Sequence, residues 1–236
     1  MIPLLVFSGV LTFSGIFLYY YFGPTPSELL GLDPRASSGR AEVEAIVADR
    51  RFLIPENYTR YPAQRAGGRM SMIDMHAILP GMQPYSPELQ ASFSDNSIRS
   101  NVIYFSLSKR DAALNSSRRL KDIYSKFLET AEPEEGPDGL KLFRFRDGTG
   151  YANQDLLVGK DQEDRILLLI CDRRGPMIES PNCSRSLLLG PRLEMSYRYK
   201  RYHLDNWRMI DKTVTSLIDR FAAVEPMDDL QGSILD

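Results

Sequence analysis

The chain has 236 residues, 43% of them hydrophobic and 25% charged, an ordinary globular balance with material for one large core or two small ones. A net charge of −2 argues against the wide basic surface that nucleic acid requires. Two His and two Cys leave little from which to build a cluster of soft metal ligands, so no metal or cofactor is expected.

The stretch Ile2 to Phe22, IPLLVFSGVLTFSGIFLYYYF, contains no charge. As a helix at ~1.5 Å per residue it reaches about 30 Å, the thickness of a bilayer's hydrocarbon layer. Tyr19, Tyr20, Tyr21 and Phe22 gather at its far end, where aromatic rings favour the lipid–water boundary, and GPTP stops the helix. A cleaved signal peptide is the rival reading. It wants a basic start and a small-x-small end, and neither is present. A single-pass anchor over 1–23 is therefore expected, meeting the membrane through residues 2–22. Ser8 and Thr12, four apart, have the spacing that lets helices approach closely, as small residues in any membrane helix also do.

Residues 24–41, rich in Gly, Pro and Ser, read as a flexible tether in which SELLGL makes at most one helical turn. The globular part is expected over 42–225. EVEAIV and RFLIP form a hairpin. MIDMHAIL places Ile73, Met75, Ala77 and Leu79 on one face, and NVIYFSL is a second alternating strand. Asp111 is the expected cap of a helix carrying Leu120, Ile123, Tyr124, Phe127 and Leu128 at three-and-four spacing. PEEGPDG, near 132–139, is a loop and a possible division into halves. KLFRFR, DLLVGK, RILLLIC, SRSLLLG and RLEMSYRYK follow as strands. The last helix has a seam of Leu204, Trp207, Ile210, Val214, Leu217, Ile218 and Phe221, and residues 226–236 form an acidic tail. The order predicts an α+β domain, an antiparallel sheet with two helices covering one face.

Cys171 and Cys183 close the ends of one expected hairpin around DRRGPMIESPN. Facing strand ends bring Cα atoms within disulfide range, and such a loop stabilises by roughly 3 kcal/mol in the chain-entropy account. Two unpaired buried thiols are the alternative, while a metal site from this pair alone is incomplete. A disulfide implies an oxidising compartment and a domain outside the cytoplasm. Arg35 and Arg40, close after the anchor, lean the other way under the positive-inside rule, but Glu28, Asp33 and Glu42 are interleaved with them. The balance favours an inner-membrane protein with its domain in the periplasm.

No catalytic signature accompanies these elements. Asp74 and His76 share one strand face, the only pair resembling part of a triad, yet no nucleophile motif goes with them. RAGGR and DGTGYAN lack the Lys and Ser or Thr of a phosphate-binding loop. The aromatic and basic residues of YTRYPAQR and YRYKRYH suggest a protein-binding patch of Tyr58, Arg60, Arg65, Arg198, Lys200 and Arg201, because Tyr and Arg favour interface hot spots. No nucleic acid and no small-molecule substrate is expected.

Two segments carry a resemblance to a known group. RFLIPENYTRYPAQRAGGRMSMIDMHAILPGMQPYS contains IP-x-NY-x-R, a Gly pair, an apolar strand with Asp, and LP in order. CDRR, PNCSRSLLLG and LEMSYRYKRYHLDNWRMIDKTVTSLIDRF join a Cys pair to a tyrosine-rich strand and an L-x-x-W-x-x-I-D helix. Together they resemble small, uncharacterised single-pass envelope-anchored proteins of proteobacteria. The resemblance implies an anchor, an outward-facing domain and paired cysteines, and supplies no catalytic residues. The expected role is a non-enzymatic, membrane-anchored interaction protein, an accessory subunit or binding module of an envelope complex. The alternatives are an immunity-type inhibitor of a toxin acting in the periplasm and an enzyme with an unrecognised site.

Overall fold

The computed structural model describes residues 2–223 apart from Ala113, with side chains from Val6 onward, so the tail expected at 226–236 lies outside the described residues. Helix α1 (Ile2–Phe22) has no acidic residue in its first turn and no basic residue in its last. Its part with described side chains, Val6 to Phe22, reaches about 25 Å. Among the described residues no helix is long and apolar enough to cross a membrane.

The segment expected as a loose tether is bound to the domain. A capping box opens α2 (Pro26–Leu29): Glu28 N–H donates to Thr25 Oγ1, and Thr25 N–H donates to the Glu28 carboxylate. Gly31 then crosses Pro62 and Ala63 in the left-handed region, φ +67°, where an added Cβ would lie 2.8 Å from the Ala63 nitrogen. The Gly31 carbonyl accepts from Ala63 N–H at 3.1 Å, and Arg35 N–H donates to the Arg60 carbonyl at 2.8 Å. Arg65 donates to the Arg35 carbonyl, and Ser37 Oγ to Glu56 at 2.6 Å. Compositional looseness was offset by specific backbone pairing.

Strands β1 (Glu42–Val47) and β2 (Arg50–Pro55) make the expected hairpin, turned by Ala48 and Asp49, both at positive φ. A two-residue β3 (Gly68–Arg69) joins β1 in parallel, so these strands form a separate three-stranded sheet rather than part of the main one. Next come β4 (Met72–Ile78), α3 (Gln90–Ser94), β5 (Val102–Lys109) and α4 (Ser116–Asp122). Asn115, not Asp111, caps α4, its Oδ1 accepting from Arg118 N–H at 2.9 Å, and the helix tightens into a 3-10 turn at Tyr124–Phe127. The chain continues through β6 (Glu134–Glu135), β7 (Lys141–Arg144), β8 (Gln154–Lys160), β9 (Ile166–Asp172), β10 (Asn182–Leu188), β11 (Leu193–Lys200) and α5 (Trp207–Phe221). The eight-stranded sheet runs β4-β5-β11-β10-β9-β8-β7-β6, antiparallel throughout.

The helices do not share a face, which corrects the expectation of one covered side. Leu167, Leu169 and Cys171 of β9 belong to the main core with α5 and the small sheet. Leu168, one position out of phase, packs with Tyr124, Phe145 and Leu156, joined by Leu120 and Ile170, under α4 and its 3-10 turn. Successive strand residues point to opposite faces, so a strand that is apolar at every position needs cover on both.

Within its long strands the sheet narrows between β9 and β10. There the pairing is confined to Cys183↔Cys171 and Ser184↔Ile170, whereas β8 and β9 pair along their whole length. The disulfide Cys171–Cys183 fastens this seam, as expected for facing strand ends. Just beyond it Arg185, 2% exposed, binds Asp161 from the β8–β9 turn at 2.8 Å and Asp211 of α5. Tyr197 OH donates to Asp211 at 2.9 Å, and burial beside that carboxylate pushes the hydroxyl's pKa well up, keeping it a donor.

Candidate functional site: an uncovered polar sheet face

Over β7, β8 and β9 the outer face is covered by the α4 region. Over β4, β5, β11 and β10 the same face carries polar side chains in cross-strand rows. Strand register aligns Asp74, Ser106, Ser196 and Ser186 in one row, and His76, Tyr104, Arg198 and Ser184 in the next. The inward neighbours Met75, Phe105, Tyr197 and Arg185 are buried, so period-2 alternation leaves the polar set outward. Apart from His76, these residues line a shallow depression of about 370 Å³.

Tyr104 is its centre. The Arg60 guanidinium lies 4.5 Å from the ring centroid and that of Arg198 lies 5.4 Å away. Arg60 comes from the loop that follows β2 and is held by its own N–H donating to the Asp74 carbonyl at 3.0 Å. Neither arginine makes an ion pair among the described residues. Asp74 is turned to Gln64, which donates to its carboxylate at 3.1 Å and accepts from its N–H at 2.9 Å. Ser106 and Ser196 hydroxyls meet at 2.9 Å between the charged groups. Two cations on an aromatic platform, ringed by hydroxyls, suit a carboxylate of a partner better than a neutral group.

The six patch residues read from the sequence separate. Arg60 and Arg198 meet here. Tyr58 stacks edge-on against Phe221 at 5.1 Å and donates to the Met82 carbonyl. Arg65 clamps the 24–41 segment through Thr59 and Arg35. Lys200 is buried on Asn96 Oδ1 at 2.8 Å, and Arg201 pairs with buried Asp155 at 2.7 Å. Tyr104 and the serines were overlooked, although they occupy the outward phase of strands already recognised; only the register brings them together.

Asp74 and His76 form no couple. His76 is buried, with Phe93 at 4.6 Å between ring centroids and its Nε2 without a partner among the described residues. Burial, with Arg60 and Arg65 nearby, lowers its pKa to about 4. Among the described residues no group of three or more His, Cys, Asp or Glu could hold a metal ion.

No known family matches the sequence, and no curated protein matches it. An immunity protein of the Stenotrophomonas maltophilia type IV secretion system is similar in structure, with 18% identity and a TM-score of 0.57, over 80% of this chain and 98% of that one. The iron-regulated outer membrane lipoprotein FrpD of Neisseria meningitidis matches over 80% of this chain and 96% of its own, with 14% identity and a TM-score of 0.47. At 18% identity, the likeness to the immunity protein is one of fold.

Proposed function

We propose that the chain is a non-enzymatic, membrane-anchored binding module of the cell envelope, and that it recognises a protein partner through the polar sheet face. The observation that carries this reading is the Arg60–Tyr104–Arg198 platform, whose cations make no ion pair among the described residues. The uncharged helix α1 over Ile2–Phe22 supports a single-pass inner-membrane anchor. The Cys171–Cys183 disulfide supports a periplasmic domain. The partner presents Asp or Glu at the platform.

The test is affinity for the partner isolated with the full-length chain in mild detergent. The double variant Arg60→Glu/Arg198→Glu should lose at least tenfold in affinity, ~1.4 kcal/mol, with thermal unfolding unchanged. Undiminished binding by that variant sinks the assignment of this face.

A second reading makes the partner a toxin. It is favoured by the fold shared with the immunity protein over 98% of that protein's length. Cells lacking the chain should then be inhibited beside toxin-bearing neighbours and rescued by the wild-type chain, but not by the double variant. Healthy growth of the deleted cells in that co-culture would count against it.

A further inference from the structure

The strap that follows α1, residues 24–41, has an apolar surface that no other described residue covers. Leu29 and Leu30 are each 65% exposed and Leu32 is 57% exposed, three leucines within four positions. Their display is built rather than loose. The capping box fixes α2, Leu32 N–H donates to the Ser27 carbonyl at 2.8 Å, and Ser27 Oγ donates to Asp33 at 3.0 Å. Gly31, between the leucines, is pinned against Pro62 and Ala63 in a conformation and a space that suit glycine alone. The backbone is therefore turned so that glycine faces the domain and the leucines face away. Clustered exposed leucines mark a contact surface on a soluble domain.

Chain continuity identifies what they contact. Leu29 lies seven positions after the end of α1, whose last residues, Tyr19 to Phe22, are exposed aromatics of the kind that lie at the lipid–water boundary. The two acidic groups of the strap are engaged, Glu28 in the capping box and Asp33 by Ser27, while Arg35 is exposed beside them. Exposed leucines followed three positions on by an exposed arginine fit acyl chains topped by lipid phosphates.

We propose that Leu29, Leu30 and Leu32 seat the domain on the bilayer surface, with the strap as a rigid bracket between α1 and the loop that carries Arg60. This inference rests on the reading of α1 as an anchor. In it the domain does not swing on a leash. The hydrogen bond from Arg35 N–H to the Arg60 carbonyl ties the bracket directly to the recognition face, which is thereby held at one height above the lipid.

The experiment uses the full chain in vesicles of phosphatidylcholine and phosphatidylglycerol. An environment-sensitive fluorophore is attached at Leu30→Cys, at Thr12→Cys within α1, or at exposed Gln162→Cys on the far half of the sheet. Cys171 and Cys183 are paired and do not compete for label. Quenching by shallow and deep spin-labelled lipids is then read for each site. Shallow quenching at position 30, deep quenching at 12 and none at 162 is expected. Adding Leu29→Ser and Leu32→Ser should abolish the signal at 30 and leave that at 12 intact. Position 30 unquenched while 12 is quenched overturns the seating and leaves the anchor standing. Quenching at 30 that survives loss of the leucines overturns it too, since tethering alone then explains it. Quenching at 30 only after membrane proteins are added reassigns the leucines to a protein partner. Position 12 unquenched removes the anchor and the seating together.

Discussion

Replacing His76 by Phe should flatten the pH dependence of stability below neutrality. In the folded protein the imidazole sits against Phe93 and Tyr85, with burial and the charges of Arg60 and Arg65 lowering its pKa to about 4. In the unfolded chain it titrates near its ordinary value of ~6.5. Because the folded value is the lower one, the neutral ring's contribution is fully present above ~6.5 and is lost as pH falls towards 4. The linkage relation gives a loss of roughly 2 kcal/mol between pH 7 and 5, and about 3 kcal/mol by pH 4. Carboxylates elsewhere titrate in both proteins, so the difference between wild type and His76→Phe isolates this site. Urea unfolding midpoints at half-unit steps from pH 7 to 4 are the assay. His76→Phe should match the wild type within about 1 kcal/mol at pH 7, since Phe keeps the aromatic packing, and should exceed it increasingly as the medium is acidified. Parallel curves for the two proteins would show that the ring charges freely in the native state, and the account of its burial would be wrong.

Two further perturbations act at the seam. Arg185→Met strands Asp211 as a buried charge without its cation, while Asp161 keeps Arg165 at 3.0 Å, and should cost about 3–5 kcal/mol in chemical denaturation; a loss below 1 kcal/mol would mean that water relieves Asp211. The pair Cys171→Ala/Cys183→Ala frees a closed loop of sequence separation 12 and should cost about 3 kcal/mol. Amide exchange should speed up first along β9 and β10, and a uniform change over the whole sheet would argue that the seam is not a local weak point.

Legibility in the sequence followed how much of each signal was local. The alternation of RLEMSYRYK and the seam of the last helix survive in the structure because each needs essentially one face buried, whereas in MIDMHAIL the other face is buried too from His76 onward. The tether misled because Gly, Pro and Ser describe backbone freedom, not the partners available at Arg60 and Ala63. RILLLIC announced burial but not that its two faces meet different layers, so both helices were assigned to one side. The Arg185–Asp161–Asp211 cluster left a readable trace: Asp211 sits four positions after Trp207 inside the apolar seam, and Arg185 shares its strand phase with Cys183 and Leu187. A charge on a buried face asks for a partner, and the spacing alone did not say which. The polar sheet face was hidden for another reason. Its serines and Tyr104 look like ordinary outward residues until strand order places Asp74, Ser106, Ser196 and Ser186 side by side.

The double-sided burial of β9 also bears on how the chain is made. Ile166 to Cys171, ILLLIC, has high strand propensity, no charge and no proline, the profile of a segment that pairs with copies of itself when left open. Arg165 and Asp172 guard its ends, but its Leu167 and Leu169 face waits for α5, whose last residue, Phe221, is 50 positions beyond Cys171. At roughly 5–20 residues per second that wait lasts several seconds during synthesis. The chain thus depends on α5 arriving, or on a holding factor until it does. A polypeptide that stops short of α5 would expose an adhesive strand in place of a core.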